Sequence, residues 1–402
     1  MKSTDETHAA HIRTEPERFD PSLLLLPTGA RQEYFEHRCL VEHPHLLEAL
    51  ETTVRTICSP GTGAQLRRPG TMVLVIGPSR VGKTTLIRLL EERLLTYAKP
   101  QMLVDPTYIP FASITAPEPG SGGFDWMDYY KPVLRQLGNP FVDSKTAPIR
   151  VRAMREAMEE ALIHRKPLTI IVDEAHHLAK VRSGRRLQDH LDHLKHFENL
   201  TGVSHVLVGT YEMRPFRKVN AQLACRSVDA HFPRYDLMKE EDCQVFRSVL
   251  WALQRQLPME EEPLLVERHW ELLYARSIGC IGLLKLHLNQ ALNLALIEGA
   301  RTVTETHLRK TGPSDVRVKL ALRTALESEA EFVEAVDADE QLLALLGRSS
   351  SRVSSPVKAL PGQDRQRSAT AKKRRPGKRT EGQDSTGLES APSQPGEERA
   401  AG

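Results

Sequence analysis

Cysteine is scarce in this chain of 402 residues: five are present, and no two form a C-x-x-C pair. Their scattered positions argue against a zinc knuckle and against a disulfide framework, because both need cysteines at close and regular spacing. We therefore expect reduced thiols that are mostly buried.

Long apolar runs are also missing. Runs such as Leu23 to Leu26 and Met72 to Ile76 are at most five residues long, whereas a helix that crosses a bilayer needs roughly 20 apolar residues. The polar start, residues 1–20, lacks the apolar core of a signal peptide. We expect a cytoplasmic protein with no membrane partner.

The net charge is only +3, and it is unevenly distributed. Residues 348–402 carry 12 Lys and Arg against 6 Asp and Glu, which leaves residues 1–347 at −3. A nucleic-acid surface on the folded part must therefore be local. No internal repeat is visible, which argues against a repeat array.

The chain does contain a phosphate-loop pattern. Gly77-Pro78-Ser79-Arg80-Val81-Gly82-Lys83-Thr84 follows the apolar run 72–76 and precedes a helix-like segment, so it fits G-x-x-x-x-G-K-[ST] in the right context. The glycines let backbone N–H groups turn toward the β- and γ-phosphates, at the positive end of the next helix. We expect Lys83 to reach those phosphates, Thr84 to bind Mg²⁺, and Thr85 to follow in the first helical turn. The alternative is an ordinary glycine-bearing turn.

A second pattern lies at the end of an apolar run, where Asp173-Glu174 follows residues 168–172. Such a run is typical of a strand buried on both faces of a parallel sheet, with its carboxylates at the C-terminal edge. Asp173 is expected to hold Mg²⁺ through its water shell, and Glu174 to orient and deprotonate the attacking water. A surface acidic pair is the alternative, but the two patterns together predict an NTPase.

Strands alternate with helices along the middle of the chain, which predicts a parallel α/β sheet. Further strands are expected over 108–116 and 204–210, and helices over 124–137, 150–164 and 186–200. Thr210 ends its strand beside the γ-phosphate, where a hydroxyl can position water; a plain strand-terminal threonine is the alternative. The remaining pattern predicts a helix over 213–223, an extended segment over 228–237, and helices over 240–257, 266–311 and 315–346.

The predicted domains are an N-terminal arm (1–30), an α/β nucleotide-binding domain (31–257), a helical lid with C-terminal helices (258–346), and a disordered basic tail (347–402). His190, His193 and His196 recur at every third position beside Asp189 and Asp192. We expect a solvated polar helix face there rather than a metal site.

This order of motifs resembles the layout of AAA+ ATPases. The segments 77–85, 172–177, 206–210 and 277–284 are similar to the TniB/TnsC branch, the AAA+ regulators of DNA transposition, within residues 31–311. The resemblance implies an AAA+ P-loop NTPase with a parallel sheet core, ATP and Mg²⁺ as ligands, Thr210 as sensor 1 and a small helical lid.

The resemblance also implies an arginine finger. Arg226 is in the position from which AAA+ proteins reach a neighbour's γ-phosphate, so that hydrolysis depends on assembly. Arg234 is the substitute candidate, and a surface arginine paired with a carboxylate is the alternative for either. No sensor 2 arginine is found near Leu283, where Lys285 is the closest basic residue.

A group of basic residues follows the second motif: Lys180, Arg182, Arg185 and Arg186. In a ring or filament, copies of such a loop can track the phosphate backbone of duplex DNA, largely without regard to sequence. A solvated loop is the alternative. The basic cluster in residues 372–379 is compatible with a DNA tether, a docking segment or a solubilising tail.

The expected function is an ATP-dependent homo-oligomer, ring or filament, that marks target DNA and recruits or activates a transposase with a target-selection protein. A replication-initiation ATPase is one alternative, but the residues after Thr311 are too few and too helical for a winged-helix domain. The other is a STAND-type switch that acts through protein partners and would normally carry repeats.

Overall fold

The computed structural model describes residues 16–58, 71–120, 123–139, 142, 150–180, 187–217, 227–330 and 332. The chain divides into two units, Met1–Ala335 and Val336–Gly402. All the described residues belong to the first unit. The predicted tail, 347–402, lies outside the described residues.

A five-stranded parallel sheet forms the centre of the first unit. Its strands are β1 (Met72–Ile76), β2 (Phe111–Thr115), β3 (Thr169–Asp173), β4 (Ser204–Gly209) and β5 (Ser227–His231), in the order β2-β3-β4-β1-β5. The three inner strands are almost completely buried, whereas the edge strands β2 and β5 are partly exposed. Near-continuous apolar sequence is what strands covered on both faces require, and here it marks the inner strands.

Helices precede, connect and follow the strands. Before and within the sheet these are α1 (Thr28–Glu33), α2 (Pro44–Cys58), α3 (Lys83–Val104), α4 (Trp126–Gln136), α5 (Val151–Arg165), α6 (Leu187–Thr201) and α7 (Arg214–Arg217). After the sheet come α8 (Glu240–Arg255), α9 (Leu265–Arg268), α10 (Trp270–Ser277), α11 (Ile281–Ile297), α12 (Glu305–Thr311) and α13 (Asp315–Glu329). The predicted α/β core and all-helical lid are both confirmed.

Three hydrophobic clusters hold this arrangement together. One packs α4, α5 and α6 on one face of the sheet, and a second packs α2 and α3 on the other face. The third packs α8 to α12 together and is called the lid core. The buried residues of α8 belong to this third cluster, although the predicted boundary at 257 assigns α8 to the α/β domain.

The N-terminal segment, residues 16–43, packs on the lid. Phe35 is fully buried in the lid core, and Cys39 packs there too. The Arg31 Nε donates to the carbonyl of Pro258 at 2.9 Å, and the amide of Phe19 donates to the carbonyl of Arg255 at 3.1 Å. The described part of the predicted arm therefore belongs to the lid.

Two of the three spaced histidines also differ from expectation. His190 is buried and packs against Trp126, and His193 hydrogen-bonds to the hydroxyl of Tyr130. Only His196 is exposed. In the described part of the chain, no group of three or more His, Cys, Asp and Glu residues could hold a metal ion.

Among the described helices, none is by itself long and apolar enough to span a membrane; a bent pair, α10 with α11 at 117°, reaches that length and apolarity only when the two helices are taken together.

Candidate functional site

The phosphate loop connects β1 to α3. Its two glycines, Gly77 and Gly82, are required for different structural reasons. A Cβ at Gly77 would lie 2.1 Å from the carbonyl oxygen of Phe232, because the chain after β5 runs alongside the end of β1. Gly82 has φ of +124°, a conformation that other residues rarely adopt. The pattern therefore folds as a tight loop at the start of a helix, as predicted.

Lys83 is turned into this loop. Its ammonium group donates to the carbonyl of Pro78 at 2.8 Å and to that of Gly77 at 3.3 Å, and the residue is only 7% exposed. Burial lowers the pKa of Lys83, while the carboxylates of Glu174 and Asp173 act in the opposite direction. The charge of Lys83 is therefore close enough to both carboxylates of the second motif to be stabilised by them.

The sheet order brings the two motifs together. β4 lies between β1 and β3, so Gly77, Thr210 and Asp173 all fall at the C-terminal edge of adjacent strands. Ligands in open α/β sheets bind at this edge. The Thr210 hydroxyl accepts a hydrogen bond from the amide of Glu212 at 3.4 Å and so begins the 3₁₀ turn Tyr211–Met213.

The acidic pair has a specific backbone geometry. The amide of Glu174 donates to Asp173 Oδ1 at 2.8 Å, and Glu174 itself is left-handed with φ of +52°. Burial raises the pKa of Asp173, and the neighbouring Glu174 carboxylate adds to this effect, whereas the amide of Glu174 and the Lys83 charge oppose it. Glu174 Oε2 lies 3.2 Å from His176 Nδ1, without hydrogen-bond geometry.

A cavity adjoins the phosphate loop on its lid side. It is lined by four parts of the chain: the N-terminal segment (Cys39, Leu40, Val41, His43), α2 (Leu46), the loop and first turn of α3 (Val81, Gly82, Thr85), and the lid (Leu253, Ile281, Gly282, Lys285). Most of the lining side chains are apolar. The motif located the loop residues.

The lid lies directly on the phosphate loop. A Cβ at Gly282, in the first turn of α11, would lie 2.3 Å from the carbonyl oxygen of Arg80. Lys285, one turn further on, donates to the carbonyls of Glu36 at 2.9 Å and Cys39 at 2.7 Å. Lys285, the basic residue nearest to the expected sensor 2 position, therefore hydrogen-bonds to the N-terminal segment.

The two arginine-finger candidates have different outcomes. Arg226 lies outside the described residues, so its role stays a prediction. Arg234 is only 5% exposed; its guanidinium donates to Glu329 at 3.1 Å and to the hydroxyl of Tyr274 at 3.2 Å. In this arrangement the Arg234 guanidinium is paired with a carboxylate of its own subunit, as the alternative interpretation expects.

Of the four basic candidates for DNA contact, one can be located. Lys180 is exposed at the end of the 3₁₀ turn Ala175–Ala179, which follows the acidic pair. Arg182, Arg185 and Arg186 lie outside the described residues. The DNA-contact hypothesis therefore stays a prediction.

Comparison with known proteins adds a domain assignment. A family model described as "AAA domain" matches residues 66–216. No curated protein matches the chain.

Similar solved structures include the ORC2 protein of Aeropyrum pernix in ADPNP and ADP complexes, with a TM-score of 0.48, 14% identity, and coverage of 69% of this chain and 70% of that one. A Walker-type ATPase of Pyrococcus abyssi has a TM-score of 0.43 and 14% identity, covering 71% and 73%. Drosophila ORC bound to DNA has a TM-score of 0.42 and 13% identity, covering 88% and 95%.

The phosphate loop, the acidic strand end beside it and the domain match lead to one assignment: the chain has the AAA+ P-loop fold, with an AAA domain over residues 66–216 and the nucleotide-binding features of an ATPase.

Proposed function

We propose that this chain is an AAA+ ATPase that assembles on duplex DNA, marks a target site there and recruits or activates a transposase. The observation that carries the ATPase part is the position of the phosphate loop with Lys83 and of the acidic pair Asp173-Glu174 at the same C-terminal edge of the sheet, on strands that flank β4. The DNA and transposase parts are supported by the basic residues after the acidic pair and by the resemblance of the motifs.

The residues at the sheet edge suit ATP with Mg²⁺. Thr84 is exposed in the first turn of α3 and Asp173 is half-buried at the end of β3; a hydroxyl and a carboxylate are ligands that Mg²⁺ accepts. Bound Mg²⁺ would neutralise charge on the phosphates. The backbone N–H groups of residues 79–82 and the Lys83 ammonium would bind the phosphate oxygens. For Lys83, these oxygens would replace the Pro78 and Gly77 carbonyls as hydrogen-bond partners.

Glu174 is the residue suited to act on water. Its side chain is 44% exposed, so the carboxylate is open to solvent at the same edge as Lys83. A carboxylate in this position can orient a water molecule and accept its proton. Thr210, between the two motifs, would help to position that water. Arg226 would supply the charge from a neighbouring subunit.

The test is binding to a fluorescent duplex in the presence of a slowly hydrolysed ATP analogue, measured by anisotropy over a series of salt concentrations. We expect tight binding with the analogue, weak binding without nucleotide, and a strong decrease as salt rises. Lys83→Ala should lose the nucleotide-dependent part. Lys99→Ala removes an exposed lysine from the far end of the same helix and should bind as the wild type does.

Replacing Lys180, Arg182, Arg185 and Arg186 with alanine tests the DNA surface. We expect the slope of log affinity against log salt to become shallower by about 0.9 for each DNA phosphate that the variant no longer neutralises. If the nucleotide-loaded wild type does not retain DNA at moderate salt, or if Lys83→Ala retains it equally well, the proposal is wrong.

A further inference from the structure

His176 is a buried histidine in the 3₁₀ turn Ala175–Ala179, which follows the acidic pair. Its side chain is 11% exposed, and its Nδ1 is buried without a hydrogen-bond partner among the described residues. A buried polar atom that makes no hydrogen bond costs free energy, so its presence in a folded chain calls for an explanation. The proposed hydrolysis, with Glu174 and Thr210 acting on water, gives this atom no role.

The His176 Nδ1 faces the carboxylate of Glu174. Glu174 Oε2 lies 3.2 Å away, which is within hydrogen-bond distance, but the angles are not those of a hydrogen bond. Catalytic hydrogen bonds are often poorly aligned before the substrate is bound and tighten in its presence. Because the Glu174 side chain is 44% exposed, a rotation of its carboxyl group can align the two.

The protonation of the His176 ring suits it to donate this bond. Burial lowers the pKa of His176, although the carboxylates of Glu174 and Glu212 oppose this effect. The neutral ring carries one N–H group, on Nδ1 or on Nε2. A carboxylate oxygen at 3.2 Å favours the proton on Nδ1, because the other tautomer would place a lone pair against a negatively charged atom.

The turn that carries His176 is held on both sides of β3. On the β4 side, a Cβ at Gly209 would lie 3.2 Å from the amide nitrogen of His176. On the β2 side, His177 Nδ1 hydrogen-bonds to the carbonyl oxygen of Ala116 at 3.3 Å, and the rings of His176 and His177 pack edge to face, with their centres 4.6 Å apart. A side chain supported in this way can fix the orientation of a more exposed carboxylate.

We propose that His176 is a positioning residue: its Nδ1–H donates to one carboxylate oxygen of Glu174, so that the other oxygen faces the attacking water. The inference rests on the proposed ATPase function. A third group that orients the base by a hydrogen bond is a recurring arrangement in active sites, and it takes no part in the proton transfer. The proton of the water goes to Glu174, and His176 keeps its own throughout.

The experiment measures ATP turnover of the full chain by phosphate release, with Mg²⁺ and duplex DNA present, and the affinity for a slowly hydrolysed ATP analogue. His176→Leu removes Nδ1 and keeps a buried side chain. We expect kcat to fall about tenfold to hundredfold, as for the loss of a hydrogen bond to a charged group, while the affinity stays within about threefold of the wild type. The thermal midpoint should not fall, because the variant removes a buried polar atom that has no partner among the described residues.

Three further variants make the result specific. His176→Asn places an amide N–H close to the position of Nδ1 and should recover most of the lost turnover. In a Glu174→Gln background, His176→Leu should lower kcat by no more than about twofold, because the carboxylate through which His176 acts is gone. His164→Leu replaces an exposed histidine of α5 and should leave turnover and affinity unchanged.

An unchanged kcat in His176→Leu overturns the inference. A loss that His176→Asn does not recover overturns it too, and so does an equal loss in the Glu174→Gln background, because His176 would then act on another group. Failure of the proposed function looks different: the wild type would not release phosphate, or Lys83→Ala would release it as fast as the wild type does.

Discussion

Glu174 combines an unusual backbone with an open side chain. Its left-handed φ turns the chain sharply after β3, and its amide caps the Asp173 carboxylate. The carboxylate lies beside His176, whose pKa is lowered by burial and raised in part by Glu174 itself. This turn keeps the two carboxylates of the motif in different environments, one half-buried and one open to water.

Glu174→Gln should separate binding from hydrolysis. Glutamine keeps the size of the side chain but cannot accept a proton, so we expect kcat to fall by about 10²–10⁴ while ATP affinity stays within about threefold of the wild type. Phosphate release and an ATP-binding titration measure the two quantities. Glu118→Gln, at an exposed position, is the matched control. Equal turnover in the wild type and in Glu174→Gln would exclude a role for this carboxylate in activating water.

Single residues of the site could be predicted from sequence to very different degrees. The positions of Lys83 and Asp173 could be predicted, because each belongs to a short motif that follows a strand and whose residues have a fixed chemistry. The partner of Arg234 could not be predicted, because sequence position alone does not reveal that Glu329, 95 residues away, pairs with it. Val41 and His43 line the cavity through a fold-back of the N-terminal segment, and no local pattern carries that information.

The contact between lid helix and phosphate loop gives a sharp test at the level of elements. Gly282 and Gly29 are both helical glycines, so replacement by alanine should stabilise either helix by roughly 1 kcal/mol on propensity alone. At Gly29 nothing lies within 4 Å of an added Cβ, whereas at Gly282 the Arg80 carbonyl oxygen lies at 2.3 Å. Backbone atoms there must move.

We therefore expect Gly29→Ala to leave the thermal midpoint unchanged or raised, and Gly282→Ala to lower it and to weaken nucleotide binding, because α11 is pushed away from the loop. Thermal unfolding and a nucleotide titration on both variants provide the measurement. A midpoint raised equally by both substitutions would mean that the lid does not rest on the loop in solution.

The last described helix, α13, connects the lid to the sheet. Its Glu329 pairs with Arg234 at 3.1 Å, where the two side chains are 18% and 4% exposed. Beyond it, Phe332 stacks on His231 at the end of β5, with the Arg217 guanidinium 4.2 Å from the centre of its ring. These contacts lie next to Tyr211, which follows Thr210.

Breaking this buried ion pair should be costly. Arg234→Met leaves Glu329 without its partner, and we expect the free energy of unfolding to fall by about 3–5 kcal/mol, with much of it recovered when Glu329→Leu is added. The exposed pair Glu305–Arg309 is the control: Arg309→Met should cost no more than about 1 kcal/mol. Urea unfolding measures all of them. A destabilisation no greater than that of the control would show that the pair does not hold α13 in place.

Across the whole molecule, the α/β core could be predicted from the sequence better than the segments that pack around it. The inner strands were recognisable because burial on both faces demands continuous apolar sequence, as in β1 and β3. The predicted arm, residues 1–30, has few apolar residues, and these are separated by polar ones and prolines, so its contact with α8 through Phe19 could not be predicted. Only the three-dimensional structure reveals that Phe35 completes the lid core. Packing between residues far apart in the chain produces no periodic pattern of apolar residues in the local sequence.

The same packing predicts how the whole molecule responds to acid. Burial lowers the pKa of His43 to about 3 and that of His193 and His231 to about 4, from an unfolded value near 6.5. The neutral imidazoles belong to the folded state, so the unfolded chain binds more protons. The contribution of these histidines to the free energy of unfolding is therefore complete above pH 6.5 and is lost as the pH falls toward 4.

We expect the free energy of unfolding to be nearly constant between pH 7 and 8 and to fall below pH 6.5, by about 1.4 kcal/mol per pH unit for each histidine involved. The raised pKa of Asp173 and Glu329 acts in the opposite direction at the acidic end, because a carboxyl group that is protonated more readily in the folded state stabilises it as the pH falls. His43 hydrogen-bonds to the Tyr235 hydroxyl and packs against the ring of Phe232. Because His43→Gln removes one group that binds a proton on unfolding, it should make the dependence of the free energy of unfolding on pH shallower by one proton. Urea unfolding at a series of pH values measures this slope, and an identical slope in the variant would mean that His43 titrates alike in the folded and unfolded chain.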